Sequence, residues 1–121
     1  MNPASAMVEL GRLLAARGKI TDAMKCYSRA IEMDPEYASA YQGMGDALYD
    51  SGSYWEAASE YRDSLIVEPA NPDTLTSLGM CYVKTKEYAD ARASFVHALE
   101  LEPCHLEAQR ALASIDRAKA A

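Results

Sequence analysis

The side chains best able to bind a metal ion or to act in catalysis in this 121-residue chain are those of two histidines and three cysteines. Their spacing does not assemble a reactive site. His105 directly follows Cys104 in a loop, whereas His97 falls on a helical segment. Both Cys104 and His105 could ligate a metal ion, but a structural zinc site needs four ligands and no second pair stands at a motif spacing. The pattern favours an ordinary loop here, with no metal and no cofactor.

A pair of glycines offers another possible chemistry. Gly43-x-Gly45 has the close glycine spacing that lets a backbone approach a phosphate group. The pair lies inside a segment of helical periodicity with no strand before it, and close helix packing accounts for Gly45. Because no nucleophile is paired with a base either, we predict that the protein is not an enzyme.

Charge and composition narrow the class of partner. The formal net charge is −6, whereas nucleic-acid backbones and anionic membranes both require a cationic surface. No apolar run approaches the roughly 18 residues that span a bilayer, and the first residues lack the features of a secretory signal. Three cysteines without motif spacing indicate reduced thiols. We therefore expect a cytoplasmic protein that binds neither nucleic acid nor membrane.

The elements that position the polar residues come from a unit that occurs three times. Pro35, Pro69 and Pro103 are spaced by 69 − 35 = 34 and 103 − 69 = 34 residues. The further matched columns are Leu10, Met44 and Leu78; Gly11, Gly45 and Gly79; Leu14, Leu48 and Tyr82; Ala23, Ala57 and Ala91; Tyr27, Tyr61 and Phe95; and Ala30, Ser64 and Ala98. A unit this short must stack on its neighbours to bury its apolar face, which predicts a solenoid with a concave surface.

Each unit has the pattern of two helices joined by a tight turn, so the sequence predicts an all-α protein of seven helices without a sheet. We expect a single domain over residues 1–121. Its repeats are predicted at about 4–37, 38–71 and 72–105, followed by a capping helix at about 105–119.

Two local signals refine the helix boundaries. Ser53 with Glu56 three residues later has the pattern of a capping box. Lys86 occupies the turn column that holds Gly18 and Gly52 in the other units. If that position requires a positive φ, lysine costs about 1 kcal/mol relative to glycine. We expect a slightly different, more mobile turn at Lys86.

The first and last helices differ in their apolar faces. The last helix keeps one apolar stripe for docking and is otherwise largely polar, as a capping helix requires. That stripe consists of Ala108, Ala111, Leu112, Ile115 and Ala118. In the first helix, Ala6 and Leu13 occupy columns that should pack on a preceding unit, and we expect no such unit before them. Leu13 is therefore predicted to be exposed.

These columns resemble the tetratricopeptide repeat, whose signature combines an aromatic residue and Leu-Gly in the first helix with alanine, an aromatic residue and proline in the second. The second copy reads Tyr41-x-x-Met44-Gly45-x-x-Leu48, followed by Ala57, Tyr61 and Pro69. The resemblance implies a right-handed superhelical α-solenoid of antiparallel helix pairs. Its first helices would line a concave groove that holds a peptide, in proteins that act as adaptors, co-chaperones or scaffolds.

The resemblance also implies which residues line the groove. They are Val8, Arg12, Gln42, Asp46, Tyr49, Asp50, Asp73, Thr76, Met80 and Lys84. Acids outnumber bases in this region, and stacking would bring Asp46, Asp50 and Asp73 along one wall. The expected ligand is a protein or peptide, neutral to basic, with an apolar anchor that contacts Tyr49. The alternative, that these charges are merely solvated, stays open.

The family's best-defined peptide site is a clamp for a C-terminal carboxylate. Its places in this sequence hold Val8, Arg12, Gly43, Asp73 and Ser77. Of these residues only Arg12 could bind a carboxylate, and Asp73 would repel one. The resemblance therefore implies an adaptor that is not a co-chaperone for chaperone tails.

Two further possibilities remain open at this point. The unpaired first helix, with Leu13 uncovered, would suit a self-associating scaffold with a homo-oligomeric contact, or a segment of a longer array. Trp55 lies in a column held elsewhere by Thr21 and Ala89, at the outer edge of a turn. It marks either a second contact surface or a partly covered surface tryptophan.

Overall fold

The computed structural model describes residues 2–120, and side chains as far as residue 117. Within residues 2–120 there are seven α-helices and no strand, as the repeat pattern predicts. The helices are α1 (Pro3–Ala16), α2 (Ile20–Met33), α3 (Ala38–Asp50), α4 (Tyr54–Val67), α5 (Pro72–Lys84), α6 (Tyr88–Leu101) and α7 (Leu106–Ala120). None of them is both long enough and apolar enough to cross a membrane.

Helix starts follow the local sequence at two places and depart from it at a third. Asn71 caps α5 because its side chain accepts a hydrogen bond from the Thr74 backbone N–H at 3.1 Å. Pro72, which follows, has no N–H group and so leaves none unpaired in the first turn. At Asn2 the same arrangement starts α1. The predicted capping box at Ser53 is wrong, because the Ser53 N–H already donates to Leu48 at 2.9 Å and its side chain makes no capping bond.

The three turns inside the helix pairs share one backbone conformation. Gly18 and Gly52 have φ values of 79° and 82°, and Lys86 has a φ of 64°. The Lys86 and Glu87 amides donate to carbonyls of α5 at 3.1 and 2.8 Å, as the corresponding amides do in the glycine turns. The expectation of a different turn conformation at Lys86 is wrong, and its greater mobility stays a prediction. Lysine adopts the left-handed conformation that favours glycine, at a cost of about 1 kcal/mol.

The chain divides into two compact units, Met1–Pro69 and Ala70–Ala121, and each is described by itself. Unit 1 contains α1 to α4, and its core surrounds the Tyr27 ring, which is 2% exposed. A Cβ atom at Gly11 of α1 or Gly43 of α3 would lie 2.6 or 2.5 Å from that ring. These glycines therefore let two helices approach the tyrosine that α2 supplies. Gly45 and Tyr61 repeat the contact between α3 and α4.

Unit 2 contains α5 to α7, and its core is built around Phe95 of α6, which is fully buried. Ile115 of α7 joins this core at 4% exposure, with Ala111 and Leu112 packed beside it. The docking stripe predicted for the last helix is confirmed at these three positions. The side chain of Ala118 lies outside the described residues.

Candidate functional site

The ten residues predicted to line a groove fall into two sets, six on unit 1 and four on unit 2. In unit 1, Arg12 and Asp50 are exposed, and Gln42 and Tyr49 are partly buried. Asp46 is exposed as a whole residue, but protein atoms enclose much of its carboxyl group. Val8 has no exposed surface, because it belongs to the core cluster around Tyr27. The expectation that Val8 contacts a ligand is therefore wrong.

Asp46 is the most constrained polar residue of this face. Its carboxylate accepts a hydrogen bond from the Tyr61 hydroxyl, and the Tyr61 ring is held in the core against Gly45. Burial of the carboxyl raises the pKa of Asp46 above its usual value, and the charge of Asp50 raises it further, while the Tyr61 bond and Arg12 oppose the rise. The fold thus holds a carboxylate in a fixed position at the surface of α3.

Arg12 supplies the only cation among the predicted groove residues of unit 1. Its guanidinium bonds Glu9 one helical turn earlier at 2.8 Å, with both side chains largely exposed. With Asp46 and Asp50, this face of α1 and α3 has one base and three acids. Burial raises the pKa of the Tyr27 hydroxyl above its usual value. The charge of Arg12 lowers this pKa, and the charge of Asp46 raises it. The face is therefore acidic overall.

Tyr49 provides the apolar part of the same face. Its ring meets that of Tyr54 edge to face, with 5.1 Å between the centroids and 69° between the planes. Tyr54 begins α4, so the contact orients Tyr49 against the next helix while leaving part of the ring accessible. Sequence periodicity indicated the side of the helix on which Tyr49 lies, and the structure adds that its ring is already positioned.

The four predicted residues of unit 2 range from buried to exposed. Thr76 is 1% exposed and donates its hydroxyl to the Pro72 carbonyl at 2.8 Å, so the expectation that it contacts a ligand is wrong. Met80 is partly buried and packs on the cluster around Phe95. Lys84 is exposed at the end of α5.

Asp73 and His105 form a contact that the sequence did not indicate. The His105 Nε2 lies 2.7 Å from the Asp73 carboxylate, and its Nδ1 accepts the Ala108 amide at 3.2 Å. Since Nδ1 accepts, the neutral ring carries its proton on Nε2 and donates it to Asp73. His105 is 8% exposed and lies in the loop that the sequence predicts, where it also caps the start of α7.

The same cluster includes Glu102, and its potential ligand atoms lie within 4.8 Å of one another. A metal ion would need the lone pair of Nε2, which instead carries the proton that bonds Asp73. Transferring that proton to Nδ1 would break the bond with the Ala108 amide. The geometry therefore favours a helix cap over a metal centre at Asp73, Glu102 and His105.

An open pocket on unit 1 contains none of the predicted groove residues. Its volume is about 590 Å³, and it is lined by Pro35, Glu36, Tyr41, Asp63, Ile66 and Val67. Ile66 is 77% exposed, the highest value among the large apolar residues described. The signal in the sequence was the column of Ile66, which holds Glu32 and Glu100 in the other repeats.

Comparison with known protein families decides the classification of this helical array. A family model for the TPR repeat matches residues 11–52, and a model for the tetratricopeptide repeat matches residues 43–103. The chain belongs to the tetratricopeptide-repeat family. This fold mediates protein–protein interactions, and the predicted family membership is confirmed.

Relatives in this family are much longer proteins. Protein CTR9 homolog of Arabidopsis thaliana is 29% identical over 117 residues, which are 96% of this chain and 11% of that protein. The BBSome complex member BBS4 homolog of Drosophila melanogaster is 26% identical over 101 residues, which are 84% of this chain and 21% of that protein. The chain thus spans between a tenth and about a fifth of the length of these two relatives.

Solved tetratricopeptide-repeat domains share the fold. The first TPR of Spaghetti (RPAP3), bound to the HSP90 peptide SRMEEVD, matches with a TM-score of 0.94 at 22% identity over 98% of this chain and 94% of that one. The second TPR domain of human RPAP3, in complex with the HSP70 peptide SGPTIEEVD, matches with a TM-score of 0.89 at 22% identity over 93% and 94%. These likenesses confirm the all-α fold class of paired helices.

Proposed function

We propose that this chain is a non-enzymatic adaptor that binds a neutral to basic peptide on the face of unit 1 formed by α1 and α3. The observation that carries the proposal is the carboxylate of Asp46, held by the Tyr61 hydroxyl next to the charge of Asp50. Fixed acids that protein atoms partly shield from water attract a cationic ligand more strongly than fully solvated ones.

The apolar contribution would come from Tyr49. Aromatic side chains are favoured anchors at interfaces because they bury a large area at a low cost in conformational entropy. Tyr54 already orients the Tyr49 ring, which reduces that cost further. A peptide with one basic and one apolar residue therefore matches the chemistry of this face.

The same residues argue against a clamp for the acidic tails that the RPAP3 domains bind. The clamp position at Val8 is buried, and that at Gly43 packs against the Tyr27 ring and has no side chain. Arg12 is exposed but paired with Glu9, and the clamp position at residue 73 holds an acid. An acidic peptide would be repelled rather than held.

Peptides selected by display on the wild-type protein test the proposal through their binding kinetics. Asp50→Lys should slow the association of a selected peptide several-fold at low salt and less at high salt, because the effect is electrostatic. Tyr49→Ala should mainly speed dissociation. Asp22→Lys makes the same charge change at an exposed position of α2 and serves as the control. Equal effects of the two lysine variants would contradict the proposal.

Binding of a cationic peptide should also depend on pH through Asp46. Its pKa is raised above the ordinary 3.8, so lowering the pH through that raised value protonates the carboxyl and removes an attractive charge. Affinity should therefore fall at acidic pH, beginning above pH 3.8. Asp46→Asn, which keeps an acceptor for Tyr61, should flatten this dependence when the affinity is measured by calorimetry from pH 4 to pH 7.

The peptide SRMEEVD tests the exclusion of the clamp directly. Fluorescence anisotropy with the labelled peptide should show no saturable binding up to roughly 100 μM, which corresponds to a binding free energy weaker than about −5.5 kcal/mol. Saturation at micromolar concentration would establish this domain as a carboxylate clamp. Selected ligands that end in acidic residues would lead to the same conclusion.

A self-associating scaffold is the alternative function, favoured by the exposed residues of α1. Leu13 is 62% exposed and Leu10 is 46% exposed, three residues apart on one helix. Light scattering at several protein concentrations distinguishes the two functions. A mass that rises with concentration would favour the scaffold, and a constant monomer mass would favour the peptide adaptor.

A further inference from the structure

The open pocket of unit 1 lies between the loop that precedes α3 and the last turns of α4. Pro35 and Glu36 come from the loop, Tyr41 from α3, and Asp63 and Ile66 from α4. The Tyr41 hydroxyl donates to the Pro35 carbonyl at 2.7 Å, which fixes the ring against the loop. The pocket thus has apolar walls and two acids around its opening.

The α4 side of the pocket departs from the pattern of the other repeats. In α2 the equivalent columns hold Arg29 and Glu32, which form an exposed ion pair at 3.3 Å. In α4 those columns hold Asp63 and Ile66, so an acid replaces a base and an exposed isoleucine replaces an acid. The second repeat therefore has an apolar and anionic surface where the first has a neutral, solvated one.

Negative charge accumulates around this pocket, at Glu36, Glu60 and Asp63. No ion pair observed among the described residues involves Glu36, Glu60 or Asp63. Burial raises the pKa of Glu60, and the charge of Asp63 raises it further. The pKa of the Tyr41 hydroxyl is raised by burial and then by Asp63 and Glu60. A cation from a partner would relieve this repulsion.

We propose that this pocket binds an arginine side chain of a partner protein, at a site separate from the face of α1 and α3. The guanidinium would lie against the Tyr41 ring and bond Asp63 or Glu36, and flanking apolar residues of the partner would cover Ile66. Arginine fits this combination because its planar group both stacks on aromatic rings and bonds carboxylates through two donors. Its hydrocarbon stem matches the apolar walls.

An NMR titration of the isotopically labelled chain tests the inference, with acetyl-Leu-Arg-Leu-amide as the probe. The neutral isostere, in which citrulline replaces arginine, is the matched ligand control. The arginine peptide should shift the amide signals of Glu36, Asp63 and Ile66, and the citrulline peptide should shift them several-fold less at equal concentration. Raising the salt concentration should weaken the arginine effect, because the contact is charged.

The first repeat supplies the matched protein variant. Asp63→Arg with Ile66→Glu recreates on α4 the exposed pair found at Arg29 and Glu32, so the fold has already accepted these residues in the same columns. This variant should weaken binding of the arginine peptide roughly fivefold or more, within the range of exposed charge pairs plus a lost apolar contact. Glu100→Gln makes the same net charge change on α6 and should leave binding unchanged.

Three results would overturn the inference. They are equal shifts with the citrulline peptide, unchanged binding by the paired variant, and shifts confined to Arg12, Asp46 and Asp50. The last result would leave the proposed peptide face intact and remove only the second site. If the paired variant does not fold, Asp63→Asn replaces it, and wild-type affinity in that variant also counts against the pocket.

Discussion

The outward faces of α1 and α7 differ in chemistry although both helices belong to the same repeat pattern. On α1 the exposed stripe contains Leu10 and Leu13, which are 46% and 62% exposed. On α7 the exposed residues include Gln109 and Asp116, while Ile115 points into the core of unit 2. Apart from Leu106 at its start, which is 55% exposed, α7 is adapted to water on its exposed side. The helix α1 instead presents an apolar surface that suits a protein neighbour.

The chain itself shows what covers the column of Leu13 elsewhere. Ala47 lies 34 residues later, since 13 + 34 = 47, and is 2% exposed in the cluster that includes Tyr27 and Ala30 of α2. The second helix of one repeat therefore covers this column of the next. The face of α1 has the chemistry to accept such a helix, which supports the scaffold alternative.

Removing α7 should lower the stability of the protein more than any other change proposed here, because the apolar side of this helix covers the core of unit 2. Deleting residues 104–121 would expose the core around Phe95 and lose the burial of Ile115 and Ala108. We expect a loss on the order of 3 kcal/mol or more, from roughly 1.5–3 kcal/mol for each large side chain. Urea unfolding with size-exclusion chromatography measures it. A monodisperse truncated protein with an unchanged unfolding midpoint would show that α7 is not a cap.

Much of this architecture could be predicted from the sequence because it depends on periodic features. The spacing of Pro35, Pro69 and Pro103 set the repeats, and helical periodicity predicted the seven helices found within residues 2–120. The contact between Gly45 and Tyr61 also follows from two conserved columns of the internal repeat. The spacing of residues along the sequence is sufficient to predict the packing where each repeat makes the same contact.

The candidate sites were less predictable because they depend on burial and on single departures from the repeat. Val8 and Thr76 occupy groove positions by analogy, yet their side chains are buried, which periodicity did not reveal. His105 lies in the N-cap column of Asn71, since 71 + 34 = 105, and that position was the available signal for its role. The pocket at Ile66 required the structure to bring two helices and a loop together.

The N-cap at His105 should contribute to the stability of α7 beyond its apolar packing. His105→Ala removes the bond to the Ala108 amide and the contact with Asp73, and should destabilise the protein by about 1–2 kcal/mol, a typical loss for an N-cap. His105→Asn places at this position the residue that caps α5, and should recover most of the loss in thermal unfolding. Equal destabilisation by alanine and asparagine would show that capping is not the main role of His105.

Lys86 places a non-glycine residue in a left-handed backbone conformation in unit 2, whereas glycine occupies the equivalent turns of unit 1. Lys86→Gly should stabilise the protein, by up to about 1 kcal/mol, because glycine adopts a φ of 64° without a steric penalty, although its greater freedom in the unfolded chain offsets part of the gain. Gly52→Lys makes the opposite change at the equivalent turn and should destabilise by a similar amount. Denaturant midpoints measure both. A loss of stability in Lys86→Gly would indicate that the lysine side chain makes a compensating contact.

The smallest expected effect on the isolated chain comes from Leu13→Glu, which tests the open face of α1 directly. Since Leu13 is 62% exposed, its free energy of unfolding should change by no more than about 0.5 kcal/mol, the usual range for surface substitutions. Ala47→Glu, in the same column but 2% exposed, should unfold the protein or destabilise it by several kcal/mol, because it buries a charge.

If the chain self-associates through α1, Leu13→Glu should lower the mass measured by light scattering, whereas Ile66→Glu, with the same charge change on α4, should leave it unchanged. A drop in mass with Ile66→Glu alone would assign the self-association to the pocket of unit 1 instead, and unfolding of a monomeric Leu13→Glu protein would show that this leucine is covered by the chain itself.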